Sequence, residues 1–265
     1  MIARDPSHLS SQTRERVEVV QGSHGNINVV SQAFKDADSV FWLVPPDLHA
    51  ESVEAAYVDF TRPACDAFRS QGVKRVVGVS ALGRGVMEDT GPASASLKMD
   101  DLIASTGVSY RALTMPSFMD NILWQVDPIK NQGVFFSPID GDLKAPTCAT
   151  RDIAAVAAKL LLDPSWSSRD HVAVLGPEDL SFNDMAAIMS EVLGKPVRFQ
   201  QIPMENFRSS LLEAGYSEPM AQAMVDMLDA KNKGLDNAEP RTPQSTTPTS
   251  FRGWCEEVLK PKVLR

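Results

Sequence analysis

The chain has few cysteines, few aromatics and no long apolar run, and each shortage removes a class of protein. Its three cysteines, Cys65, Cys148 and Cys255, are far apart and never form a Cys-x-x-Cys pair. Neither a disulfide framework nor a zinc or other metal site is indicated, and each cysteine is read as a small buried hydrophobe. No apolar stretch approaches the ~18 residues that a membrane span requires. The first dozen residues, MIARDPSHLSSQ, carry charges where a secretory signal has its apolar core, so the protein is expected to be cytoplasmic. Positive charge is also in deficit. The 26 Lys and Arg against 34 Asp and Glu give a net charge of -8, which repels a phosphate backbone and speaks against a nucleic-acid partner.

What is present is a chain of 265 residues with 43% apolar and 23% charged residues, enough for one large domain or a domain with a lobe. Short runs rich in β-branched residues alternate with longer helical patterns, the mark of a parallel sheet covered by helices. Strands are expected at Val17 to Val20, Ser39 to Val44, Arg75 to Ser80, Val108 to Thr114 and His171 to Leu175. Helices are expected at Ile27 to Lys35, Val53 to Gln71, Ser96 to Ser105 and Asp152 to Leu162. The runs Val40-Phe-Trp-Leu-Val44 and Val76-Val-Gly-Val79 are apolar on both faces, as strands between two helical layers should be.

After Gly176 the rhythm changes. A helix is expected over Ser181 to Leu193, with Ser181 as N-cap and Gly194 closing it. A strand at Val197 to Ile202 and a helical stretch from Met204 to Lys233 follow. The Pro- and Thr-rich run Gly234 to Ser250 reads as a loop with few contacts of its own. A last helix buries Phe251, Trp254 and Val258.

Ordered segments along the chain carry more than the alternation does. They are Ala3-Arg-Asp-Pro-Ser7, Val17-Glu-Val-Val-Gln-Gly22, Asp38-Ser-Val-Phe-Trp-Leu-Val-Pro-Pro46 and Gly72-Val-Lys-Arg-Val-Val-Gly-Val-Ser80, then Met115-Pro-Ser-Phe-Met-Asp-Asn121, Arg151-Asp-Ile-Ala-Ala155, Leu175-Gly-Pro-Glu178 and Leu193-Gly-Lys-Pro-Val197. In this order and at these spacings the chain resembles the NmrA-like proteins, atypical relatives of the short-chain dehydrogenases and reductases. The resemblance implies a doubly wound, Rossmann-like α/β sheet with a smaller C-terminal α+β lobe. It implies a dinucleotide domain over 1–175, with 116–150 contributing to the substrate side, and a substrate lobe over 176–265. The implied cofactor is NADP or NAD. The family's pattern begins with a strand, a glycine-rich turn and a helix ahead of the Ala-Arg-Asp segment, and none of these is in this sequence. About 30 residues, the size of such a unit, are therefore expected to precede Met1 in the full protein, and without them the strand at Ser39 should lack a neighbour on one side.

The same resemblance assigns positions. Arg4 follows the implied second strand, where a basic side chain can pair with the 2'-phosphate of NADP, with Ser7 in support; Ser10 is equally a helix cap. Gln21 and Gly22 follow the third strand, on the adenine side, where Ser23 stands in place of a frequent acid and His24 is a substitute donor. Val44, Pro45 and Pro46 wall the nicotinamide ribose, or simply terminate a strand; His49 lies just beyond. Ser80 stands where the superfamily places its substrate-orienting serine, and it is also ordinary turn chemistry. Lys98 stands at the superfamily's lysine, which the resemblance makes a catalytic residue that binds the nicotinamide ribose and lowers the pKa of a neighbouring proton donor; the alternative is a solvated helix lysine. Its usual tyrosine partner is replaced by Ser94, a far weaker acid, and Tyr57 and Tyr110 read as packing residues. Pro116, Phe118, Met119 and Asn121 resemble the turn that lines the nicotinamide and substrate end, with Met115 replacing an arginine there.

Two functions follow. One is an NAD(P)H-dependent reductase of an electron-poor small molecule, quinone-like or conjugated, since such acceptors take a proton from water without a tuned tyrosine. The other is a non-catalytic dinucleotide sensor that acts through a protein partner, or a shortened chain unable to hold the cofactor.

Overall fold

A computed structural model describes residues 1–85 and 89–264. Four parallel strands form the main sheet in the order β3 (Ser39–Trp42), β4 (Arg75–Ala81), β5 (Ser109–Met115) and β9 (Arg169–Ala173). Successive side chains of β4 face opposite ways and both faces are covered. Val76 packs among Phe68 of helix α3 (Phe60–Ser70) and Met99 and Ile103 of α4 (Pro92–Ala104), whereas Val77 packs against Ile153 and Ala157 of α6 (Thr150–Leu162). This two-sided burial is the doubly wound arrangement that the apolar strands predict. Trp42 is fully buried on β3, and its indole N–H is answered by Thr61 Oγ1 at 3.2 Å.

The first two strands, β1 (Ile2–Ala3) and β2 (Val20–Gln21), pair in parallel as a separate two-stranded sheet. Among the described residues β3 bonds only to β4, so its outer edge is open, as expected. Phe41 and Leu43 on and beside that strand are 41% and 49% exposed, which is unusual for apolar residues of a doubly wound sheet.

A second core lies beyond β5. It joins Met119, Ile129 of α5 (Val126–Gln132), Phe135 of β7 (Val134–Ser137), α7 (Phe182–Leu193), and Phe251 and Trp254 of the last helical segment. Helix α7 starts at a capping box between Ser181 and Asp184 and stops at Gly194 with φ 66°, as the sequence indicates. Strand β11 (Arg198–Gln201) pairs with β7 in parallel, and β8 (Ala145–Cys148) sits between β6 (Ser117–Phe118) and β10 (Asp179–Leu180). Helices α8 (Met204–Glu213) and α9 (Glu218–Asn232) form a hairpin, and α9 packs against α4.

The run Gly234 to Ser250 departs from expectation. It is fastened along its length: Asp236, Ser245, Thr247 and Thr249 are buried. Leu175 N donates to Ser245 O at 2.9 Å, and Thr249 donates to Asp152 through both its N–H and its hydroxyl, at 3.0 and 2.7 Å. The hydroxyls of Thr242, Ser245, Thr246 and Thr249 serve as internal hydrogen-bonding groups, a use that composition does not separate from solvation.

Helix α4 begins at Pro92, four residues earlier than the periodicity suggests, because Gly91 adopts φ 54°, ψ -126° immediately before it. A Cβ on Gly91 would lie 2.1 Å from the Ala223 carbonyl oxygen of α9. Gly91→Ala is expected to destabilise the protein by about 1–3 kcal/mol or more, from strain and the clash together, read as a lower urea midpoint. An unchanged midpoint would contradict the close approach of α4 and α9.

Candidate functional site

The C-terminal ends of β3, β4 and β5 are roofed by the helical hairpin. The loop after β3 is tied to it by Ser217, whose N–H donates to Leu48 O at 2.9 Å and whose hydroxyl donates to Ala50 O at 2.7 Å. After β4, Gly83 passes so close to Leu235 that a Cβ would stand 2.2 Å from its Cδ1. After β5 the chain turns at buried Pro116 into Ser117 and Phe118, which face a cavity of about 510 Å³.

This cavity is walled by soft apolar groups, among them Met119, Ile122, Phe136 and Ile139, with Met224 and Met227 of α9. Gln125 also lines it, but both ends of its amide are spent on Phe136, at 2.9 Å to the carbonyl and 2.7 Å from the N–H. Lys231 and Asp236 are the charged residues among its walls. Both are buried, and Lys231 Nζ lies 2.6 Å from each Asp236 carboxylate oxygen. Asp236 Oδ2 also receives the N–H and hydroxyl of Ser117, each at 3.4 Å. Neither charged residue is a candidate by family position. A signal for Lys231 does exist: Met220, Met224, Met227 and Lys231 recur at helical spacing, so the lysine stands on an apolar face of α9.

Of the positions expected to act, Phe118, Met119 and Asn121 line the cavity, and Pro116 is buried one residue before its first lining residue, Ser117. The others stand elsewhere. Ser80 is buried between sheet and helix, donating to Asp100 Oδ2 at 2.5 Å. Lys98 is exposed and pairs with Glu54 at 3.3 Å. Ser94 accepts from Thr90 N at 2.8 Å, so its hydroxyl is engaged at the start of α4. Val44 is buried, while Pro45 and Pro46 are exposed at the end of β3. Arg4 and Ser7 are exposed beyond β1, and Gln21, expected to follow its strand, is the exposed last residue of β2, where its Nε2 donates to Arg4 O at 3.2 Å. Ser7 N donates to Asp5 Oδ1 at 2.8 Å in a short turn. Gly22 lets the chain pass α2 (Ile27–Phe34), for a Cβ there would meet Val29 Cγ2 at 2.5 Å.

His24 sits close by, with its Nδ1 buried and unpartnered among the described residues and its ring edge-on to Trp42 at 5.8 Å. Burial, helped by the charge of Arg4, holds its pKa below the usual value, so the ring is neutral near pH 7. Burial pushes the Tyr57 phenol up to about 12 and Tyr110 well above its usual value, so both are packing groups rather than proton donors.

Asp100 gathers Ser80, the Tyr110 hydroxyl at 2.6 Å and Arg84 Nη2 at 3.3 Å. Burial raises its pKa from the usual 3.8 to about 6, against the lowering effect of those hydrogen bonds and of Arg84. The folded protein therefore holds this proton more tightly than the unfolded chain does. The resulting stabilisation is complete below about pH 4 and is lost as pH rises through 6. Relative to wild type, Asp100→Asn should gain stability between pH 4 and pH 7 by up to about 3 kcal/mol, measured by urea unfolding at each pH. A pH-independent difference between the two proteins would rule out this titration.

Comparison with known proteins places the fold and the lineage. Residues 2–255 match the NmrA-like family. The chain belongs to this family. It is 28% identical to the (4-alkanoyl-5-oxo-2,5-dihydrofuran-3-yl)methyl phosphate reductase of Streptomyces griseus subsp. griseus, covering 97% of this chain and 88% of that protein. It is 32% identical to agroclavine dehydrogenase of Claviceps fusiformis, over 77% and 71% of the two chains. Among solved structures, the Citrobacter sp. triphenylmethane reductase complexed with NADP(H) superposes with a TM-score of 0.75 at 18% identity, over 99% of this chain and 88% of that one. The NADPH-dependent quinone oxidoreductase of Escherichia coli gives a TM-score of 0.74 at 19% identity, over 95% and 86%.

Proposed function

We propose that this NmrA-like protein is an NAD(P)H-dependent reductase of a small, electron-poor acceptor, quinone-like or conjugated. The observation that carries the reading is the apolar cavity at the C-terminal end of β5, where ligands of open α/β sheets bind, with one buried ion pair in its wall. Relatives named as reductases or dehydrogenases, and the structural likeness to NADP(H)-dependent enzymes, support it.

The residues present fit the two ends of a dinucleotide. Arg4, Gln21 and the unpartnered His24 nitrogen are suited to the adenosine end, with Ser7 beside them, and Val44, Pro45, Pro46, Pro116 and Phe118 to the nicotinamide end. A phosphate-cradling glycine turn has no counterpart among the described residues, so no contact to the pyrophosphate is assigned. In this reading residues 1–175 hold the dinucleotide, and 176–265 with part of 116–150 enclose the acceptor. The bound dinucleotide supplies a hydride. The chain's part is to exclude water with its Met and Phe walls and to orient the acceptor ring. Ser94 is too weak an acid for alcohol chemistry and is engaged with Thr90, so acceptors that take their proton from water are favoured. Arg4 favours NADPH over NADH.

The reading is tested by NADPH consumption with a panel of quinones, with turnover above ~0.1 per second expected. Arg4→Ala should raise KM for NADPH about tenfold, as loss of a charge-assisted contact does, and leave KM for NADH unchanged. NADPH binding without consumption by any acceptor would instead favour the sensor that acts through a protein partner, a role with which the engaged Ser94 is equally compatible.

A further inference from the structure

We infer that Lys231 is the group that recognises the acceptor's carbonyl oxygen, with Asp236 holding it in position. An ammonium has three N–H donors. Two are directed at the Asp236 oxygens, both 2.6 Å from Nζ, and the third has no acceptor among the described residues. The lysine is only 9% exposed and lines the cavity. A buried charged donor left without a partner is costly, and an oxygen within the cavity relieves that cost.

Stability does not explain the pair. A buried ion pair is often replaced by apolar residues of similar volume without loss of stability, and the surroundings here, Met224, Met227 and Phe118, are already apolar. Of the other polar side chains in the wall, Gln125 is committed to Phe136, Thr147 Oγ1 to Ser117 O and Ser210 Oγ to Phe207 O, while the Asn121 amide and the Trp124 indole are exposed and so bear no desolvation cost that an acceptor oxygen would relieve. Lys231 therefore presents a directed donor on a wall otherwise suited to a flat ring. Methionines at 119, 185, 224 and 227 adapt to ring shape, so the lysine specifies where an oxygen must lie more strongly than it specifies the ring.

The redox role rests on the reductase reading above. The acceptor takes a hydride from the reduced dinucleotide and one electron pair comes to rest on its carbonyl oxygen. Lys231 hydrogen-bonds that oxyanion, and a proton from water converts it to a hydroxyl while the dinucleotide is left oxidised. A donor already fixed by Asp236 stabilises this charge without reorganising, as preorganised donors do.

The test is calorimetric binding without cofactor, using 2-methyl-1,4-naphthoquinone and 2-methylnaphthalene, which share a ring body and differ in the oxygens. Wild type is expected to prefer the quinone by about tenfold or more, the range of one buried charge-assisted hydrogen bond. Lys231→Met/Asp236→Leu, which removes both charges together, should keep the hydrocarbon affinity and reduce the preference to about twofold or less. If that variant loses the hydrocarbon site, Lys231→Arg decides, because it keeps the charge and moves the N–H groups: the preference should fall at least about threefold. No preference in wild type, or a preference unchanged in the variant that is read, overturns the inference. NADPH consumption measured in parallel separates the two claims. Preference without turnover removes the reductase reading and leaves the binding role, and turnover without preference removes the role of Lys231.

Discussion

Asp236 places a carboxylate in a wall of methionine and phenylalanine, and a charge in such surroundings has to be answered by groups held close to it. Two parts of the chain far apart in sequence provide them: Lys231 at the end of α9, and Ser117 at the turn leaving β5. The carboxylate thereby links α9 to the turn leaving β5 in the wall of the cavity. Nearby glycines set the same boundary sterically, since Gly83 abuts Leu235 and Gly91 abuts Ala223. These two close approaches and the apolar lining, rather than the ion pair, give the cavity its shape.

A second buried carboxylate works differently. Asp100 lies under the sheet with Ser80, Tyr110 and Arg84, and Gly78 is needed there because a Cβ would stand 2.3 Å from the Tyr110 hydroxyl. Its hydrogen bonds do not offset burial, so the site retains a proton to about pH 6. Ser80, which family position marks for chemistry, is drawn into this network, away from the cavity. The Lys98 side chain is likewise turned to Glu54 at the surface. The charged pair that lines the cavity comes instead from the end of α9 and the turn that follows it.

The sheet was legible because β4 buries both faces, which writes the continuous apolar run Val76-Val-Gly-Val79 into the sequence; the similar run of β3 overstates its burial, since Phe41 and Leu43 are exposed. Helix α7 was legible because Ser181 and Gly194 are local start and stop signals. The start of α4 was not, since it depends on Gly91 meeting α9, a contact 132 residues away at Ala223. The loop from Gly234 to Ser250 was misjudged because threonine and serine look alike whether they face water or cap a buried carboxylate such as Asp152. Of the site, the turn at Pro116 and Phe118 was readable from the family's pattern, whereas Lys231 and Asp236 were not. A lysine after three helically spaced methionines hints at burial, but its partner five residues on follows the end of the helix, where periodicity ends as well.

The most direct measurement is a crystal structure of the protein with oxidised NADP and 2-methyl-1,4-naphthoquinone. The account predicts the quinone in the cavity beside Phe118 and Met224, with a carbonyl oxygen at hydrogen-bonding distance, about 3 Å, from Lys231 Nζ. A quinone bound outside this cavity, or within it with both oxygens turned away from Lys231, would contradict it.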